Sequence, residues 1–319
     1  MTSIATTIHD IFLARPHVYA HLRPTPLYPY QGLSNLVGGR VFLKHENHQP
    51  VGAFKVRGGL NLVARLTEKQ KQGGLFTAST GNHGQSIAFA ARAHGVQATI
   101  AVPEGANPGK VAAMQGLGAE VIFHGPDFDS ARQWIAEVAD ERGGTFVGPT
   151  DEPLIHGVGT YGLEIMEELP EVDVIIVPVG AGSGVCGTAI AAKSINPKIT
   201  IIGVQSAQAP TQYQSWKQGR PVEAEMKTIA EGLATRISFA NTQAIMKKYL
   251  DDFVLVEDSA IEEAVRLLLI HSHNLVEEAG AASLAAALTL GRSLQGKNIV
   301  LVVSGGNISI ERLTTIVGG

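Results

Sequence analysis

Gly52-Ala53-Phe54-Lys55-Val56-Arg57-Gly58-Gly59 places a lysine in an apolar, glycine-flanked stretch. Surroundings of that kind withhold water from the amine, which favours its neutral form and makes it a nucleophile. A lysine beside glycines is also the ordinary description of a surface residue whose stem covers apolar neighbours. Its meaning therefore depends on its company. Downstream lie Ser79-Thr80-Gly81-Asn82-His83-Gly84-Gln85 and Pro178-Val179-Gly180-Ala181-Gly182-Ser183-Gly184. The second is a glycine loop ahead of a helix predicted over 185–194, and bare backbone amides at a helix start bind phosphate. Taken alone, it serves equally well as a tight connection after a buried strand. Ser304-Gly305-Gly306-Asn307 closes the series as a strand-to-helix turn.

Around these motifs, short Val/Ile-rich runs alternate with alanine-rich segments of helical character, the pattern of parallel sheets with crossover helices. The fold class is α/β. Strands are predicted over 39–43, 74–78, 98–102, 120–123, 172–177, 199–204, 252–256 and 298–303, and helices over 84–94, 108–117, 129–142, 259–272 and 280–292. Ser79, Gly180 and Ser304 each follow a predicted strand, the position where α/β sheets gather ligands.

The chain has 319 residues, 45% hydrophobic and 17% charged, with a formal charge of −4. That balance, without a Lys/Arg run, argues against nucleic acid or an anionic membrane as the main partner and for a small-molecule substrate. The single cysteine, Cys186, forms no intramolecular disulfide, and no cationic-then-apolar leader opens the chain. A cytoplasmic location is expected. Apolar runs such as 172–179 fall well short of the roughly 20 residues of a membrane helix.

In order and spacing the four motifs resemble those of the fold-type II pyridoxal-phosphate enzymes, the tryptophan synthase β-like fold. Within that group the chain resembles the serine/threonine dehydratase and serine racemase family, from about Pro24 to about Asn307. The resemblance implies two parallel-sheet α/β domains with pyridoxal 5′-phosphate in the cleft between them. Residues 71–148 would form a small domain inserted into a large one made of 1–70 and 149–319. It further implies that Lys55 carries the cofactor as a Schiff base and then removes the substrate α-proton, while Phe54 packs on the pyridine face. Gly180, Ala181, Gly182, Ser183 and Gly184 would cradle the phosphate, Asn82 would meet the 3′-oxygen, and Ser304 the ring nitrogen. Ser79, Thr80, Asn82 and His83 would face the substrate, His83 as a neutral positioning group.

A neutral hydroxyl at Ser304 does not hold a pyridinium charged, which weakens the ring as an electron sink and favours expulsion of a β-leaving group. The expected activity is dehydration and deamination of a β-hydroxy amino acid such as L-threonine or L-serine to a 2-oxo acid and ammonia. The alternative is a serine racemase or an ammonia-lyase for 3-hydroxyaspartate or phenylserine; a pyridoxal-phosphate or amino-acid binding protein is a third class. Racemases of the family carry Ser-Ser-Gly-Asn-His-Gly, where this chain has Thr80, a catalytic hydroxyl hindered by a methyl group. The family usually shows four consecutive glycines where this chain has Gly180-Ala181-Gly182-Ser183.

Divalent-cation-dependent relatives place carboxylates after the strand ending near Val204, whereas Gln205-Ser206-Ala207-Gln208-Ala209-Pro210-Thr211 has none. Hard cations prefer anionic oxygens, so no Mg²⁺ or Ca²⁺ is expected there. Glu277, in Glu277-Glu278-Ala279-Gly280-Ala281, resembles the family's Glu-Pro-Ala-Gly-Ala and is read either as approaching the ring or as a solvated, helix-starting acid. Arg132 and Arg236 are candidates for a substrate side chain or carboxylate, with nothing in sequence to separate them from surface arginines. The chain ends soon after Ser304, so the C-terminal domain through which isoleucine regulates biosynthetic threonine dehydratases is expected to be absent, and relatives suggest a homodimer.

Overall fold

Every motif sits at the carboxyl end of a strand, and the order of those strands decides which motifs meet. The computed structural model describes residues 6–318. One sheet has the order β1-β2-β10-β7-β8-β9, with β1 Leu27–Pro29, β2 Arg40–His45, β7 Val174–Pro178, β8 Thr200–Ser206, β9 Asp252–Val256 and β10 Asn298–Val303. The other has the order β5-β4-β3-β6, with β3 Leu75–Ala78, β4 Ala98–Val102, β5 Glu120–Phe123 and β6 Thr145–Phe146. All pairings are parallel except β1 with β2. Parallel strands need helical crossovers on both faces, and β3, β4, β7 and β10 are accordingly buried nearly throughout.

Strands expected at eight places are observed at eight, displaced by a residue or two where the ends were drawn differently. Two more were not anticipated: β1, a three-residue antiparallel edge ending in Pro29, and β6, only two residues long. Among the helices, Pro108–Gly116 begins where Asn107 Oδ1 accepts from Gly109 N and Lys110 N, with Pro108 at the first position. Asp127 caps Phe128–Glu141 by accepting from Ser130 N. The predicted helices at 84–94 and 185–194 begin earlier, at Asn82 and Ser183. Those two motifs thus end in helical first turns rather than in loops.

The larger correction is the helix Lys55–Ala64, which the sequence does not announce because Gly58 and Gly59 lie inside it. A Cβ on Gly58 would stand 2.8 Å from Leu154 O and one on Gly59 2.5 Å from Ser86 Oγ. The glycines forgo helix propensity so that the backbone can lie against Glu152–Glu168 and Asn82–Ala93.

Three hydrophobic clusters and a smaller fourth fill the layers, but the junction beneath Lys55 is ionic. Arg57, fully buried, donates through Nε and Nη2 to Glu46 at 2.7 and 2.8 Å and through Nη1 and Nη2 to Glu164 at 2.6 and 2.9 Å. Lys44, also buried, meets Glu164 at 2.6 Å. This cluster ties β2, the helix Lys55–Ala64 and the helix Glu152–Glu168 together. Burial disfavours the charged guanidinium, but Glu46 and Glu164 outweigh it and hold Arg57 protonated. Burial likewise pushes the Glu164 carboxyl up, and Arg57 with Lys44 overrides it and holds it below its ordinary range.

Candidate active site

The strands β2, β10 and β7 are adjacent and parallel, so the segments leaving their carboxyl ends share one edge of the sheet. Lys55 follows β2, Ser304 follows β10, and Gly180 follows β7. The backbone joins two of these segments directly. Phe54 N donates to Ser304 O at 3.1 Å, Gly306 N donates to Gly52 O at 2.9 Å, and Glu277 N donates to Gly305 O at 3.1 Å. Ser79 leaves β3 of the other sheet, and all four motifs line one cavity of about 290 Å³.

Lys55 opens its helix and points Nζ at Ser183 Oγ, 3.3 Å away. Loss of water lowers its ammonium pKa to about 8, so a usable fraction is the free amine near neutral pH. Phe54 places its ring beneath the amine, 5.3 Å from Nζ to the ring centroid. Across from it, Gly180 to Gly184 lead into the helix Ser183–Ile195, with Gly182 as the capping residue at φ +103°. A Cβ there would stand 2.9 Å from Thr242 Cβ, so glycine is required both for conformation and for space. Ala181 keeps a negative φ, since among the described residues only His273 has a positive φ without being glycine. Amides at a helix start, aimed into a cavity that also holds a desolvated amine, fit a phosphorylated aldehyde.

Asn82 is fixed from both ends of its amide. Its Oδ1 accepts from Asn307 Nδ2 at 2.8 Å, and its Nδ2 donates to Glu277 Oε1 at 2.7 Å. Glu277 is therefore part of the cavity, not a solvated acid, and the cap position it holds on Glu278–Leu290 is the helix-starting role read from sequence. Burial pushes its carboxyl up to about 7 against the opposing hydrogen bond from Asn82. Ser79 Oγ accepts from Gly84 N at 2.9 Å and Gly81 N at 3.2 Å, which shapes the turn. His83 is buried with neither ring nitrogen paired to a protein group, and burial plus the Lys55 charge lower its pKa to about 3. It is neutral. Thr80 and the buried Ser304 complete the lining.

Two stretches that the sequence marks for the side-chain pocket, around 149–156 and 230–236, reach the same cavity through Pro149 and the run from Glu231 to Ile237. Of the two arginines, Arg132 lines the cavity, while Arg236 lines it and pairs with Asp129 at 3.3 Å. Gln205, the first residue of the stretch 205–211, uses Oε1 to accept from Gln212 N and Tyr213 N, both at 3.1 Å. It holds the start of the helix Thr211–Gln218. Sequence reasoning passed over Arg57, Glu46 and Glu164, which position the helix of Lys55. The available signal was Glu164, a lone acid in the apolar run Gly162-Leu163-Glu164-Ile165-Met166.

The chain matches the family model described as pyridoxal-phosphate dependent enzyme over residues 18–305. It is 39% identical over 313 residues to the L-threonine ammonia-lyase of Thermotoga maritima, covering 98% of this chain and 78% of that protein. Its structure is similar to the processed form of threonine deaminase isoform 2 from Solanum lycopersicum, with TM-score 0.93, 31% identity and coverage of 98% and 91% of the two chains. It is equally similar to maize serine racemase, with TM-score 0.93, 32% identity and coverage of 98% and 97%. The amine-and-glycine-loop cavity, the two parallel sheets and these matches together place the chain in the family of pyridoxal-phosphate dependent enzymes of fold type II.

Proposed function

We propose that this protein is an ammonia-lyase that removes water and then ammonia from a β-hydroxy amino acid, L-threonine or L-serine, leaving a 2-oxo acid. The observation that carries the proposal is the desolvated Lys55 amine facing the glycine loop across a cavity shared with Asn82 and Ser304. The similarity to the L-threonine ammonia-lyase of Thermotoga maritima and to threonine deaminase isoform 2 of Solanum lycopersicum supports it.

Pyridoxal phosphate, when bound, supplies the aldehyde that takes the amino group and a conjugated ring that accepts electrons from the Cα–H bond. Lys55 Nζ would hold the cofactor, and the same amine would serve as the base for the substrate α-proton. The amides of Gly180 to Gly184 and the Ser183 hydroxyl would hold the phosphate, and Phe54 would pack on the ring. Asn82, its amide oriented by Asn307 and Glu277, would meet the ring oxygen. The neutral Ser304 hydroxyl would meet the ring nitrogen without holding it charged, chemistry that would favour loss of the β-hydroxyl. Ser79, Thr80 and neutral His83 orient the substrate carboxylate.

In this reading residues 71–148 act as a small domain against 1–70 and 149–319, no divalent cation occupies 205–211, and the enzyme works as a cytoplasmic homodimer. Among the described residues no helix is long and apolar enough to cross a membrane. Racemisation is the second reading, favoured by the similarity to maize serine racemase and by a Thr80 hydroxyl on the cavity wall.

The test is an absorbance spectrum of the purified protein followed by assays of 2-oxo acid and ammonia with L-threonine and L-serine. A Schiff-base band with keto-acid release is the expected outcome, insensitive to chelator. Inverted amino acid without keto acid would move the assignment to racemase, and the absence of a band after adding pyridoxal phosphate would sink it.

A further inference from the structure

Besides the groups assigned to the cofactor and the amino-acid backbone, the cavity is lined by several large apolar side chains, three of them exposed and so at its mouth. Phe128 opens the helix Phe128–Glu141 on one side, and Met226, Ile237 and Phe239 belong to the connection between Thr211–Gln218 and Ala240–Tyr249. Phe146 and Leu233 complete this lining. Phe128, Met226 and Ile237 are 38%, 40% and 39% exposed. Three large apolar side chains left in water at one mouth, from two segments far apart in sequence, mark a surface awaiting an apolar group. The charges around it are largely committed to one another: Arg236 to Asp129, Lys110 to Glu231, and Asp127 to capping Ser130. Arg132 has no ion pair among the described residues.

In a β-hydroxy amino acid the amine and carboxylate are consumed in anchoring, so the β-substituent is what faces the remaining lining. A hydrogen or methyl there leaves Phe128, Met226 and Ile237 wet. A phenyl ring covers them and buries its own area, with edge and face contacts to the two phenylalanines. We propose that the mouth is a subsite for an aromatic β-substituent and that aryl-substituted β-hydroxy amino acids, with phenylserine as the probe, are substrates. This rests on the β-elimination reading. The Cα–H and Cβ–O bonds break, the oxygen leaves as water with the electron pair of its bond, and water returns on hydrolysis. Phenylserine becomes phenylpyruvate and ammonia, with no oxidant or reductant required.

The test compares kcat/KM of the holoenzyme for phenylserine, L-serine, L-threonine and 3-hydroxyaspartate. Phenylserine should exceed L-serine by about 10-fold or more, the scale on which an apolar pocket discriminates. Met226→Asp and Ile237→Asp, both at exposed positions, should each lower the phenylserine-to-serine ratio by about 10-fold, with the holoenzyme spectrum checking that cofactor is still bound. Turnover of L-serine without turnover of phenylserine, or a ratio unmoved by both variants, overturns the proposal. So does preference for 3-hydroxyaspartate lost in Arg132→Gln, which would assign the mouth to an anionic substituent. No keto acid from any of the four substrates overturns the β-elimination reading and the subsite together.

Discussion

Replacing Arg57 by Met tests the buried ionic junction on which the position of Lys55 depends. Wild type balances Lys44 and Arg57 against Glu46 and Glu164, all essentially inaccessible to solvent. Arg57→Met removes four charge-assisted hydrogen bonds to the two carboxylates and one to Thr160 Oγ1 at 3.1 Å. Glu164 keeps Lys44 at 2.6 Å, but Glu46 is left with the neutral Thr25 Oγ1 at 2.6 Å. One buried negative charge is uncompensated, a situation that costs about 3–5 kcal/mol. In a domain whose whole stability is about 5–15 kcal/mol this is a large share. At roughly 2 °C per kcal/mol for a chain of this size, the thermal midpoint should fall by about 6–10 °C.

The measurement is circular-dichroism melting of holoenzyme at fixed pyridoxal phosphate, because bound cofactor contributes to the midpoint. Arg57→Met with Glu46→Gln should recover part of the loss, since neutralising both partners costs less than orphaning one. Arg57→Lys should rescue poorly, because an ammonium does not reproduce the fork that spans two carboxylates. A midpoint within about 2 °C of wild type, or a double variant no better than the single one, would refute the account.

Lys55→Ala should remove the Schiff-base band and lower turnover by about 10³-fold or more; elimination near the wild-type rate would exclude Lys55 as the base. Gly182→Ala forces a side chain into φ +103° with its Cβ 2.9 Å from Thr242, and should weaken cofactor binding by about 10-fold and stability by about 1–3 kcal/mol, read by cofactor titration and melting. Glu277, whose folded pKa is raised from 4.5 to about 7, contributes stability that is complete below pH 4.5 and lost as pH rises through 7. Against cofactor-free wild type, Glu277→Gln should therefore gain about 1–3 kcal/mol in relative stability between pH 4 and pH 8, and a flat difference across that range would show that the carboxyl titrates normally.

Strand positions were readable because β-branched runs in parallel sheets are buried on both faces, as in Val174–Pro178 and Asn298–Val303. β1 and β6 were not, because two or three residues carry no period and Pro29 signals a turn as readily as an edge. The helix under Lys55 was hidden by Gly58 and Gly59, whose purpose is contact with elements about 30 and 100 residues away in sequence. Glu277 was readable only as a choice between an acid near the ring and a helix-starting one, and its place with Asn307 on the amide of Asn82 came from the fold.

Local chemistry travels with sequence: the motifs around Lys55, Asn82, Gly180 to Gly184 and Ser304 carry the family resemblance that implies the cofactor and the kind of reaction. Distance and solvent do not travel with it. Only the strand order β2-β10-β7 brings Lys55, Ser304 and the glycine loop to one edge. Only the packing around that edge removes the water whose loss lowers the pKa of the Lys55 ammonium to about 8 and raises that of the Glu277 carboxyl to about 7. Burial is a sum over neighbours from the whole chain, so the pKa of an amine and the width of a cleft mouth are properties of the tertiary structure, while the identity of the groups was fixed residue by residue.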